Sequence, residues 1–288
     1  MFTNNYLKYI ELMKPKVVFL MLTTMWVGMF LAPGVKNFEN VFFVALGFFF
    51  IAGAGGCVNQ VFDHKIDSKM SRTLKRPIAT GEINIKNAIV FSILLYFSGF
   101  YIINKYSNLT TAIISLACSL GYGFFYTLYL KYATPQNISI GGLYGAVPPL
   151  IGWCSVTNTI DPNALLLVGI IFTWTPVHFW ALALDKKKDY EKNNIPMLPV
   201  THGDKITIYS IFSYNLLLLI FCIFPYLTGL FSINYFYISL ILNIFYLVLN
   251  FNLLIDLKKF SKKSFIFSII YLYLLFFLMI FDHIWSFN

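Results

Sequence analysis

Apolar stretches of about 18 or more residues recur along this chain, with short polar segments between them. A run of that length marks a helix able to cross a bilayer. The pattern predicts nine such helices, roughly over residues 17–33, 41–58, 86–103, 109–130, 138–156, 164–184, 206–226, 233–253 and 264–281. The fold class is therefore all-α, a polytopic membrane protein. Two polar segments are long, about 59–85 and 185–205. Long ordered loops are commonly functional. These two follow the second and the sixth helix. That offset predicts, within one domain over residues 1–288, an internal four-helix repeat at about 15–131 and 138–253, with the ninth helix appended.

Composition supports the membrane reading. The chain is 58% hydrophobic and 11% charged, where a soluble domain carries about 25% charge. Its net charge of +9 raises the question of nucleic acid. The distribution of that charge argues otherwise. With the helices counted as above, 19 of the 21 Lys and Arg fall in segments on one side, and only Lys36 and Lys105 on the other. This positive-inside bias predicts a cytoplasmic N-terminus and, after nine crossings, a C-terminus outside. No cleavable signal or Arg-rich transit peptide is evident. The expected location is a bacterial-type inner membrane. Cys57, Cys118, Cys154 and Cys222 each fall in a predicted span without a C-x-x-C pattern, and read as small apolar core residues.

Acidic residues number 12, and four of them lie in the two long polar segments with one spacing: Asp63 and Asp67, then Asp185 and Asp189. On a helix, D-x-x-x-D puts both carboxylates on one face. Asn59 extends the first pair upstream by the same step. If that helix continues, Asn59 and Asp67 are about 12 Å apart, too far for one magnesium ion with oxygen ligands at about 2.1 Å. Either the helix ends inside the motif, or the ladder holds more than one ion through substrate oxygens. A solvated pair of loop carboxylates is the plain alternative for one motif. Two motifs at helix ends on one side of a membrane favour a divalent metal and a polyanionic substrate. Arg72 and Arg76, the only arginines, follow the first motif and suit phosphate oxygens. Lys187, Lys258, Lys259, Lys262 and Lys263 are covered by the topology rule. His178, inside the sixth predicted span about two turns above Asp185, reads as a porphyrin-iron ligand, a proton acceptor or a hydrogen-bonded core residue. Glycines cluster at 53, 55 and 56 and at 141, 142 and 145, either for close helix packing or as room for a large ligand. Pro148-Pro149 must loosen the backbone ladder of the fifth span.

Asn59-x3-Asp63-x3-Asp67 resembles the N-x-x-x-D-x-x-x-D signature of the UbiA superfamily of intramembrane prenyltransferases. The likeness runs through nearly the whole chain. It includes Lys14-Pro15-Lys16, the segment Ser71 to Pro77, Tyr126-Thr127 through Lys131, and Thr134-Pro135-Gln136-Asn137. The stretches Pro148-Pro149-Leu150-Ile151-Gly152-Trp153 and His178-Phe179-Trp180 resemble the haem-prenylating branch. Phe62, His64 and Val177 depart from the commonest residues of that pattern.

The resemblance implies a bundle around a central cavity. It implies farnesyl diphosphate held through Mg2+ on Asn59, Asp63, Asp67, Asp185 and Asp189, with Arg72, Arg76 and Lys131 neutralising phosphate charge. It implies attack by a vinyl group of haem b, capture of water, and haem o as product for haem-copper oxidases. His178 would orient the haem. A haem-using oxidase or a haem a synthase is a partner consistent with the same resemblance. Two other readings compete: prenylation of an aromatic acid or quinone precursor by the same clamp, and a polytopic transporter. A transporter would place charges near mid-membrane, whereas these acids gather at helix ends.

Overall fold

The computed structural model describes residues 3–71 and 73–286. Among the described residues the secondary structure is helical throughout. In chain order the helices are α1 (Thr3–Leu12), α2 (Pro15–Leu31), α3 (Phe38–Asp67), α4 (Ile85–Tyr106), α5 (Leu109–Ala133), α6 (Asn137–Ala146) and α7 (Pro148–Thr157). Then come α8 (Pro162–Asp185), α9 (Lys187–Lys192), α10 (Leu198–Thr201), α11 (Gly203–Leu227), α12 (Ile233–Leu254) and α13 (Leu257–Ser286). Polar side chains set several starts. Asn37, Asn84, Asn108, Asp161 and Ser232 each accept a backbone N–H in the first turn of the helix they precede, satisfying donors that the helix itself leaves open.

All nine predicted segments are helical, but they are not nine continuous spans. Among the described residues seven helices are long and apolar enough to cross a membrane, or eight if α1 and α2, bent by 56°, count as one. The segment predicted as a fifth span is two ten-residue helices, α6 and α7. Pro148 and Pro149 have no N–H, so the helical bonds to the carbonyls of Tyr144 and Gly145 cannot form. α6 stops at Ala146, and Pro148, with its fixed φ, opens α7 instead.

The chain divides into two compact units, one of residues 1–131 and 147–160, the other of residues 132–146 and 161–288. Lipid is as apolar as leucine, so helices inside a membrane are joined by close packing and hydrogen bonds. The first unit relies on glycine. A Cβ on Gly28 of α2 would lie 2.0 Å from the carbonyl oxygen of Pro149, and one on Gly152 of α7 would lie 2.0 Å from that of Met25. The two backbones are therefore in contact at both points. Gly47 and Gly99 join α3 to α4 in the same way. Ser119 donates to the Ile51 carbonyl at 2.7 Å, tying α5 to α3.

The second unit relies on amides and hydroxyls. Asn250 donates to Asn215 Oδ1 at 2.6 Å and accepts from Ser264 at 2.5 Å. Tyr271 donates to Asn243 Oδ1 at 3.0 Å. These bonds link α11, α12 and α13 through their buried faces. Gly142 of α6 packs on Thr175 of α8, where a Cβ would meet the threonine methyl at 2.8 Å.

Candidate functional site

Helix α3 does not end where its apolar run ends. It continues through the polar motif to Asp67, so the long loop begins nine residues later than the sequence pattern predicts. The continuing helix resolves the geometric choice: Asn59, Asp63 and Asp67 stand on one face, with a rise of about 12 Å from first to last. All three are buried, at 4%, 5% and 3% exposure. Both aspartates would be costly there without partners.

Each has a cation. Lys131 Nζ lies 2.8 Å from Asp63 Oδ1, and Arg76 lies 2.6 Å from Asp67 Oδ2. Asn59 donates to Asp63 Oδ2 at 2.9 Å and to Thr127 Oγ1 at 3.0 Å. Its own carbonyl oxygen accepts from Lys14. Lys14 also donates to the Tyr122 hydroxyl at 3.3 Å and sits over that ring. Among the described residues, three cations thus face two carboxylates. Asp67 occupies the C-terminal end of α3, where the helix dipole is negative and disfavours a carboxylate by about 0.3–1 kcal/mol. The contact with Arg76 offsets that cost.

Two backbone irregularities aim these cations. Lys14 joins α1 to α2 in a left-handed conformation, φ 55° and ψ 58°, a strain of about 1–3 kcal/mol for a residue other than glycine. In α5, residues Gly121–Leu130 form a π-helix, an arrangement that recurs at functional sites. Within it the Thr127 hydroxyl donates to the Tyr122 carbonyl five residues back at 2.9 Å. The widened turns carry Thr127 and Lys131, four residues apart, onto the Asn59–Asp63 face of α3. The sequence reading missed Lys14 and Thr127 as site residues. The available signal was the Lys-Pro step between two helices, which marks a bend but does not say where the ammonium goes.

The second motif lies in the second unit and is built differently. α8 ends at Asp185, Lys186 leaves the helix, and Asp189 falls in the first turn of the short α9. The expected single helical face is therefore absent for Asp185 and Asp189, because the chain breaks between them. Asp185, like Asp67, closes a long helix at its negative pole. Lys186 lies 3.0 Å from it, in a half-exposed pair worth little. Lys187 pairs with Asp204 at 2.8 Å. Arg72 lies outside the described residues. His178 is buried in α8, with Trp174 and Phe265 stacked on it at ring-centroid distances of 4.5 and 4.7 Å.

The glycines described mostly bear out the packing reading, and the space beside Gly145 is on the exposed side of its helix. Gly53 and Gly56 pack on Met13, Gly55 on Ser119 and Gly142 on Thr175, whereas a Cβ at Gly145 would meet nothing within 4 Å. Among the described residues no group of three or more His, Cys, Asp or Glu forms a ready-made metal cage. The donors present are hard oxygens on a ladder. That set suits magnesium, which takes one or two carboxylates and completes its shell with water and phosphate.

The profile of the UbiA prenyltransferase family matches residues 20–280. Protoheme IX farnesyltransferase of Colwellia psychrerythraea is 46% identical over 98% of this chain and 92% of its own length. The proteins of that name from Legionella pneumophila (strain Corby) and Teredinibacter turnerae are 45% and 48% identical, each over 96% of this chain and over 94% and 89% of their own lengths. Among solved structures, one from work on digeranylgeranylglyceryl phosphate synthase superposes with a TM-score of 0.82 at 21% identity, over 98% of this chain and 99% of the other. A UbiA homologue from Archaeoglobus fulgidus bound to DMAPP and Mg2+ gives 0.72 at 17% identity, over 94% of this chain and 99% of its own. By the extent of that profile and by these relatives, the chain belongs to the UbiA prenyltransferase family.

Proposed function

We propose that this chain transfers the farnesyl group of farnesyl diphosphate to a vinyl group of haem b, with addition of water, to give haem o for haem-copper terminal oxidases. The observation that carries the choice of acceptor is the 45–48% identity, over nearly the whole chain, to protoheme IX farnesyltransferases. The buried ladder of Asn59, Asp63 and Asp67, with cations on it, supports the reaction class.

Asn59, Asp63, Asp67, Asp185 and Asp189 are the residues that would hold Mg2+ together with diphosphate oxygens; the A. fulgidus homologue was bound to DMAPP and Mg2+. When bound, the metal supplies neutralising charge at the leaving diphosphate. The chain's own cations supply the rest. Lys14, Lys131 and Arg76, now on Asn59 and the two carboxylates, turn to phosphate oxygens as substrate enters, with Arg72 four residues before Arg76. Their charge counts most as the allylic C–O bond breaks and its electron pair passes to the diphosphate. The vinyl π pair then forms the new C–C bond. The cation left on the vinyl carbon next to the macrocycle takes the oxygen of water, and the water's proton passes to the released diphosphate.

Anchoring follows from the solvent. Moving a farnesyl tail out of water is worth about 0.8 kcal/mol per carbon, but moving it from lipid into protein gains little. Orientation therefore comes from the diphosphate end. We further propose nine crossings of the inner membrane, with α6 and α7 as one interrupted crossing and the N-terminus in the cytoplasm. The test is incubation of membranes containing the protein with haem b, farnesyl diphosphate and Mg2+, followed by mass analysis of extracted haem. A hydroxyethylfarnesyl haem is expected, and none in excess EDTA. Farnesylation of an aromatic acid with haem b untouched would replace the acceptor.

A further inference from the structure

His178 and Ser268 together define which nitrogen of the imidazole carries its proton. Nδ1 of His178 on α8 lies 2.5 Å from the Ser268 hydroxyl on α13. That same hydroxyl lies 2.5 Å from the carbonyl oxygen of Phe265, one turn back on its own helix. Two polar atoms approach so closely only with a proton between them. A serine hydroxyl has one proton, and a carbonyl has none. The hydroxyl proton must lie toward Phe265, because nothing else can separate those two oxygens. The proton between Ser268 and His178 then belongs to Nδ1. In the neutral ring this leaves Nε2 with the lone pair.

Nε2 has no hydrogen-bond partner among the described residues, and the residue keeps 8% exposure. The ring is held on the remaining sides. Trp174 stacks on it at 17° between planes and Phe265 at 30°, and Phe179 meets it edge-on. Trp174 is fixed in turn by donating to the Ser268 carbonyl at 2.9 Å. Seven residues separate His178 from Asp185 on α8, which puts them on one face about 10 Å apart. A lone pair on one ring nitrogen, with the other N–H committed to an oxygen, is the arrangement that metal-binding histidines use.

We infer that Ser268 is a positioning residue that fixes His178 in the Nδ1–H tautomer, so that Nε2 presents its lone pair to the iron of the acceptor porphyrin. This rests on haem being the acceptor. The iron ligand would orient the macrocycle two turns from the acids at the end of α8.

The experiment compares purified wild type, Ser268→Ala, Ser268→Thr and His178→Ala, each titrated with ferric haem b and with metal-free protoporphyrin IX. Wild type is expected to give the absorption and electron-spin signature of imidazole-ligated iron. His178→Ala should lose that signature and recover it with added imidazole. Ser268→Ala should weaken ferric haem binding by about 10–100-fold and shift the iron–nitrogen vibration, while Ser268→Thr retains both. Metal-free protoporphyrin should bind all four alike. Equal ferric haem affinity and spectra in wild type and Ser268→Ala would overturn the inference. So would equal weakening toward both porphyrins, which marks a packing role. Wild type that binds no ferric haem removes the acceptor assignment itself, and the inference with it.

Discussion

At the scale of the residue, the site depends on charges that are buried and matched. Asp63 and Asp67 are each less than a tenth exposed and each has one cation in contact. Asp63→Ala and Asp67→Ala are expected to lower turnover by at least about 10²–10³-fold, the cost of removing one preorganised electrostatic group. Haem o yield at matched protein levels in membranes checks this, and wild-type yield from either variant would remove these residues from the reaction. Lys14 gives a sharper test. Its backbone strain and its ammonium are separable, because glycine adopts φ 55° freely. Lys14→Gly and Lys14→Met should both lose about 10²-fold in kcat/KM, although the glycine variant relieves the strain. Activity in Lys14→Gly alone would show that the bend, not the charge, is what the site uses. Asn59, Asp63, Asp67 and Arg76 were legible in the sequence because acids and arginines are rare in this chain and their spacing is helical. Lys131 entered through family resemblance. Lys14 was one lysine among many that topology already explained. Thr127 carries no charge to draw notice, and only the pairing of α5 with α3 gives it a role.

At the scale of the element, the apolar pattern located the helices and missed their irregularities. Residues 121–130 are as apolar as their neighbours, so no periodicity distinguishes a π-helix from an α-helix there. The continuation of α3 past residue 58 was hidden because its last turns are polar where they meet the site. The break at Pro148 was visible as two prolines, but hydropathy averages across it. The α2–α7 contact yields a prediction that polarity patterns do not. With a Cβ placed 2.0 Å from a backbone carbonyl at both Gly28 and Gly152, neither side can yield by a rotamer change. Gly28→Ala and Gly152→Ala should each destabilise the first unit by about 2–3 kcal/mol, the upper range for overpacking. Thermal unfolding in detergent checks it, with Gly145→Ala as control, since a Cβ there meets nothing within 4 Å. Equal stability of all three variants would mean that the helices part easily, and that the contact is incidental.

At the scale of the whole molecule, everything proposed for the two acidic motifs depends on the parity of membrane crossings between them. On the proposed topology Asp67 ends the second crossing, counting α1 with α2 as the first. Between it and Asp185 lie α4, α5, the α6–α7 pair and α8. If the pair crosses, Asp185 ends the sixth crossing and returns to the side of Asp67. If the pair enters and leaves on one face, Asp185 ends the fifth and the two motifs are separated by the bilayer. Length favours a crossing: two ten-residue helices at 1.5 Å per residue make about 30 Å, the thickness of the hydrocarbon core. Charge favours it too, because a re-entrant pair would move the lysines at 186, 187, 188, 192, 205, 258, 259, 262 and 263 to the outer side and turn the 19-to-2 asymmetry into 10 against 11. The expected outcome is therefore specific. In a variant with Cys57, Cys118, Cys154 and Cys222 replaced by alanine, single cysteines at Ser68 and Lys188 should resist a membrane-impermeant maleimide in intact cells. Both should react after permeabilisation. Cysteines at Val35 and Ile160, both exposed, should react without permeabilisation. Labelling at Lys188 but not at Ser68 in intact cells would place the two motifs on opposite sides, and a clamp that uses all four aspartates on one diphosphate would then be impossible.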